Sequence, residues 1–206
     1  MRSRDAQLPR VFEANIFRLV DTVGRTGLAL PPSHSDLARE QALAAGDYLN
    51  CAGEPVDDHT ASGAAKAFAS TLSAVFGRQL RAWARAITVS KGGPNLKPSS
   101  YSELLHFCAE YGKLDLIGQG LRSDLIELEL VANVVRHGDG PSCDDLSRLA
   151  PSLWAHVSST RPPGQQSRSE LMRIGQSDLQ RYIRATTRFW AHLDSPPFTA
   201  TAIPLC

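Results

Sequence analysis

The chain is poor in the features that mark chemistry, and each shortage removes a class of protein. Its four cysteines, Cys51, Cys108, Cys143 and Cys206, are scattered. None forms a C-x-x-C pair or stands at metal-ligand spacing from a histidine. A disulfide scaffold and a structural zinc site are therefore not expected, and free thiols in a reducing, cytoplasmic setting are. No apolar run approaches the ~20 residues of a spanning helix. The opening MRSRDAQLPR has no apolar stretch behind it, so neither export nor membrane insertion is expected. Net charge is only +1, which excludes a binder of the strongly basic kind. Phosphate-cradling, dinucleotide, zincin and nucleophile-elbow motifs are all missing. The expectation is a chain with no cofactor and no bound metal.

What remains is helical. The 206 residues, 42% of them hydrophobic, suffice for one packed domain spanning residues 1–206. Val11, Phe12, Ile16, Phe17, Leu19, Val20 and Val23 recur at three- and four-residue steps, which predicts a first helix over about 7–23. Ser35 caps a second, which reaches Leu49. Gly53 to His59 reads as a polar turn, and a long third helix follows over about 61–89. The loop Lys91–Pro98 breaks it and marks a sub-lobe boundary at 90–99. Ser100 or Ser102 caps a fourth helix, and a fifth runs from about Arg122 to His137, ended by Gly138 and Pro141. Ser142 caps a short helix to Leu149, and Pro151 to Trp154 is a turn. Ser158 to Ser169 is loop-like. Ser177 caps a last helix to Leu193, and the tail 195–206 is expected to be loose. The fold class is all-α: an antiparallel bundle of six to seven helices.

Charge is distributed unevenly. Asp36 to Asp58 is acidic, and Arg161 to Arg188 is basic. On the last helix Arg181, Arg184 and Arg188 form an i, i+3, i+7 stripe, a candidate surface for RNA or a protein partner. A chain polarised in this way can also pair with itself, so a homodimer is expected. The bland alternative is that the two ends satisfy one another inside the fold.

The most informative segment is Glu127 to Gly140. Glu129, Asn133 and His137 lie four apart and share one helix face. Apolar residues occupy most of the rest of that helix, so the stripe must face water or a partner. His137 stands in the last turn, where the helix dipole favours an imidazolium suited to proton transfer. The structural alternative is a solvated face with a favourable C-terminal charge. Other histidines read more simply: His106 as a core residue, and His34 and His59 as solvated.

The segment Ala-Asn-Val-Val-Arg-His-Gly resembles the signature of HEPN domains, a helical family that includes bacterial defence and toxin ribonucleases. Their hallmark is an arginine, then a polar residue, then a histidine at a helix end. Asn133, His137 and Gly138 match the polar residue, the histidine and its setting. The likeness extends loosely over residues 60–193, but its specific part is about ten residues. It implies a dimeric, metal-independent endoribonuclease, with His137 as general acid or base, Asn133 orienting, and Arg136 or an arginine of the last helix offsetting phosphate charge; Glu129 joins the candidate catalytic residues through the shared helix face. The family's arginine falls at position 132, where this chain has Ala132. That departure favours the alternative, a non-catalytic helical module binding RNA, a nucleotide or a protein. From Tyr101 to Trp190 the chain also resembles a type of bacterial protein, a likeness that implies no activity.

Overall fold

The computed structural model describes residues 8–25, 47–90, 100–157 and 167–194. Seven α-helices lie within them: α1 (Leu8–Arg25), α2 (Asp47–Ser90), α3 (Tyr101–Tyr111), α4 (Leu121–His137), α5 (Pro141–Leu149), α6 (Arg168–Leu171) and α7 (Gln176–Asp194). A 3-10 turn at Pro151–Trp154 follows α5. No strand occurs among the described residues. The predicted helix start at Ser35, the loop 91–98 and the tail 195–206 lie outside them, as do the histidines at 34 and most of the 158–169 stretch.

Two boundaries differ from the sequence reading. The turn expected at Gly53 to His59 is helical, because α2 runs unbroken for 44 residues. Glycine and proline inside a helix cost roughly 1 and 3 kcal/mol, yet neither forces the chain to reverse, and a proline can kink a helix without ending it. Ser142 does not cap α5. The helix starts two residues earlier than that cap would give, with Pro141 in its first turn and Gly140 as its N-cap. Proline's fixed φ suits that position, and its missing N–H would have had no helical partner there. Elsewhere local chemistry held: the Ser100 hydroxyl accepts the Glu103 N–H at 3.2 Å and opens α3.

The core is built where apolar faces meet. α2 packs most extensively on α4, and α1 lies against α7 and α2. Trp190 is the hub of the aromatic part. Its ring meets Phe12 at 4.8 Å, Phe189 at 5.0 Å, Phe76 at 5.7 Å and Trp83 at 6.0 Å, all edge to face. This geometry places the positive ring edge on a neighbour's negative face, and it joins α1, α2 and α7. On α4, Leu121, Leu125, Leu128 and Ala132 continue one buried stripe, and Ala132 is 0% exposed. The two described free cysteines, Cys108 and Cys143, are buried. Burial pushes the Cys108 thiol up to about 12, so it stays protonated and packs as a small apolar group. No helix among the described residues is long and apolar enough to cross a membrane.

Candidate functional site

α4 carries two polar clusters on different sides, and both are tied to neighbouring helices. The first contains three of the four residues singled out from the sequence. The Ser73 hydroxyl of α2 donates to Glu129 Oε2 at 2.6 Å. Arg136 folds back along its own helix. Its Nε donates to the Ala132 carbonyl at 3.0 Å, and its Nη2 donates to Asn133 Oδ1 at 3.0 Å. The same Nη2 lies 3.9 Å from Glu129 Oε1. Glu129, Asn133 and Arg136 therefore form one seam, closed against α2 by Ser73. Helical spacing alone points Arg136 about 100° away from His137, and its long side chain uses that direction to reach the stripe one turn back.

Tyr101 of α3 adds a hydroxyl to this side, donating to the Leu125 carbonyl at 3.4 Å. Burial of that end, and then the Glu129 carboxylate, push the phenol well above its ordinary value. The sequence reading names neither Ser73 nor Tyr101 as a site residue. Nothing local to either residue signals the contact, which spans 56 residues in the case of Ser73.

His137, the fourth residue, is exposed. Among the described residues its imidazole has no hydrogen-bond or ion-pair partner. The stripe thus supplies the amide, the carboxylate and a guanidinium together, and leaves the histidine outside.

The turn after His137 is fixed by Asp139. Its carboxylate accepts the N–H of Ser169 at 2.7 Å and of Arg168 at 3.2 Å. Gly138 has φ +74° and Gly140 φ +155°, conformations that suit glycine. A capping box between Ser167 and Glu170 completes the start of α6. Lys66 of α2 donates to the carbonyls of Ser169 at 3.2 Å and Glu170 at 3.0 Å. Ser73 meets Glu129 and Lys66 meets the segment beside Gly138, so α2 and α4 run antiparallel. Burial lowers the Lys66 ammonium from its ordinary value, with Glu170 opposing the shift. Nearby, His156 is lowered from its ordinary value by burial and then by the cations Arg173 and Lys66, with the Leu171 backbone opposing the shift.

Ser169 above all holds the Asp139 carboxyl below its ordinary range. The folded form therefore favours the carboxylate. Its contribution is present above the unfolded value of about 3.9 and is lost as pH falls through the lower folded value. The docking of residues 167–171 should loosen below about pH 4, read as a shift of the Ser169 amide in two-dimensional NMR. Asp139→Asn should show the loosened signal at neutral pH and lose the acid transition. An acid transition that persists in the variant would assign it to another group.

The second cluster accounts for Arg181. Its Nη1 donates to Asp124 Oδ1 at 2.6 Å and to Glu127 Oε2 at 3.1 Å. Its Nη2 donates to Glu127 Oε1 at 2.7 Å and to Asp178 Oδ1 at 3.0 Å. The Tyr182 hydroxyl donates to the same Glu127 Oε1 at 2.6 Å. The Glu127 side chain is 7% exposed, a buried carboxylate satisfied by a forked guanidinium and a phenol. Its hydrogen bonds raise Arg181 further above an already high value, and burial followed by Glu127 raises Tyr182. Arg184 Nε donates to the Gln180 carbonyl at 3.3 Å, and Arg188 Nη2 to Gln119 Oε1 at 3.1 Å. The three arginines of the expected cationic stripe thus have different fates. Arg181 is drawn into α4, while Arg184 and Arg188 remain exposed.

Among the described residues no three His, Cys, Asp or Glu side chains come together as metal ligands. No protein family, curated protein or solved structure matches this chain.

Proposed function

We propose that this protein is a non-catalytic helical module, HEPN-like in design, that works by binding a protein partner. The observation that carries this reading is the burial of Ala132. The position at which the resembled family has its arginine continues the stripe Leu121, Leu125, Leu128 and is 0% exposed. An arginine side chain here would enter the bundle and could not line a cleft. The adjacent cation, Arg136, is engaged by Asn133 and Ala132. His137 has no described group to orient it, and a general base acts well only when positioned. Phosphate chemistry without a positioned cation lacks its main source of transition-state stabilisation.

A protein is favoured over RNA as partner for two reasons. Arg181, one of three arginines on the candidate binding face of α7, is neutralised by Asp124, Glu127 and Asp178. Apolar surface also stays open on the α3–α4 side, where Ile117 is 76% and Leu149 43% exposed.

The test is incubation with end-labelled single-stranded RNA in excess chelator, comparing the wild-type chain with His137→Ala. The expected result is intact RNA with both. Cleavage by the wild type that falls by about a hundredfold or more in the variant, a general acid-base effect in size, would replace the binding module with a nuclease.

A further inference from the structure

The end of α7 is carried to one place in the fold, the connector between α3 and α4. Leu193 lies so close to Gly112 that a side chain at residue 112 would collide with it. Earlier on the same helix, Arg188 Nη2 donates to Gln119 Oε1 at 3.1 Å. The last turns of α7 thus touch both ends of the connector, and the chain leaves the helix at Asp194 beside Gly112. Residues 195–206 follow, with the sequence SPPFTATAIPLC. They contain no Asp, Glu, Lys or Arg, and their large apolar side chains are Phe198, Ile203 and Leu205.

An apolar groove opens at the same place. It has a volume of about 610 Å³, and Glu110 and Leu114, on either side of Gly112 in the chain, both line it. From Glu110 it follows α3 back to Ser102, about 12 Å at the helical rise per residue. A second hollow of about 430 Å³ shares Leu116, Ile117 and Ile126 with it and reaches Leu149 of α5. Ile117 stands 76% exposed, in a turn where Asp115 Oδ1 accepts its N–H at 3.0 Å and that of Gly118 at 2.9 Å. Apolar surface held in water in this way marks a binding face. The charges around it are of both signs, with Glu110 and Asp115 against Arg122. A partner of one charge sign gains at one end of the groove and loses at the other. An uncharged apolar segment is opposed at neither.

We infer that the chain's own segment 196–205 occupies the α3–α4 groove, its apolar side chains covering Ile117. Residues 195–206 reach up to about 40 Å when extended, ample for the path from Gly112 to Ser102. Pro196, Pro197 and Pro204 restrict the free segment, which lowers the entropy lost when it binds. Tethering raises its effective concentration at the groove to roughly the millimolar range, so even a weak contact is populated. A protein partner must displace this segment before it can use the groove. That competition, unlike the contact itself, rests on reading the groove as a protein-binding face.

Methyl-labelled NMR of the full chain tests it. Nuclear Overhauser effects are expected between the Ile117 or Ile126 methyl groups and side chains of residues 196–205, unchanged in relative strength on dilution. Phe198→Asp combined with Ile203→Asp should abolish them and shift both methyl resonances. The Ile16 methyl, 0% exposed in the core, should stay in place and so report an intact fold. In return, Ile117→Ser should shift the Ile203 methyl. A wild-type chain without these effects overturns the inference, and that spectrum decides even if a variant fails to fold. So do Ile117 and Ile126 resonances indifferent to the double variant. Effects that fade on dilution assign the contact to a second copy and overturn it as well. An empty groove in a chain that leaves RNA intact keeps the binding-module reading. His137-dependent cleavage removes that reading and leaves the contact to be judged by the NMR alone.

Discussion

Arg181→Met is expected to lower the stability of the fold by about 3 kcal/mol, measured by thermal or denaturant unfolding. Removing one member of a buried ion pair costs about 3–5 kcal/mol because the other member is left uncompensated. Here the member left is Glu127, whose side chain is 7% exposed, with Asp124 and Asp178 beside it at 19% and 21%. The low end of the range applies because the guanidinium is itself 35% exposed. For a chain of this length the loss corresponds to a midpoint lower by roughly 6–12 °C. Arg181→Lys should fall between variant and wild type. An ammonium keeps the charge but cannot fork between Glu127 and Asp124. Removing Tyr182's hydroxyl with Tyr182→Phe should cost less than Arg181→Met, since Glu127 then keeps its guanidinium. If Arg181→Met unfolds with the wild-type midpoint, the cluster is not a structural clamp, and Arg181 returns to the candidate binding surface.

This cluster also shows where sequence reasoning stops. The basic stretch Arg161 to Arg188 and the acidic stretch Asp36 to Asp58 invite the idea that one neutralises the other. The carboxylates that hold Arg181 come instead from α4, Asp124 and Glu127, 57 and 54 residues away, and from Asp178 on its own helix. Nothing in local spacing encodes that choice. It follows from which apolar faces pack, and α4 packs on α7.

Local rules did better where the interaction was local. The three- and four-residue recurrence of Phe12 and Ile16 gave α1, and both are buried. The run from Leu121 to His137 ended where glycine allowed positive φ. The Ser100 cap was legible because capping needs only the three residues that follow it. Gly53 and Pro55 misled because propensity is a weak prior, and here a helix runs through both. On the polar side of α4, i, i+4 spacing put Glu129 and Asn133 on one face correctly. It could not give the fold-back of Arg136, which depends on side-chain length. It could not give Ser73 either, which arrives from another helix. Ile117 was not legible: nothing in the sequence singles it out, and its 76% exposure goes with a turn in which Asp115 accepts its N–H.

Residue 132 belongs to the interior of the bundle, so the helix cannot present an arginine where the resembled family does. Ala132→Arg tests it most directly. Inserting a guanidinium at a 0% exposed site adds an unpaired buried charge and several heavy atoms to a closely packed layer. The two effects together should cost at least about 3 kcal/mol. The measurement is urea unfolding. The expected result is a midpoint lower by about 1 M or more, or no folded baseline at all. A variant that unfolds at the wild-type midpoint would place residue 132 on an open face of α4 and restore the room for a motif arginine.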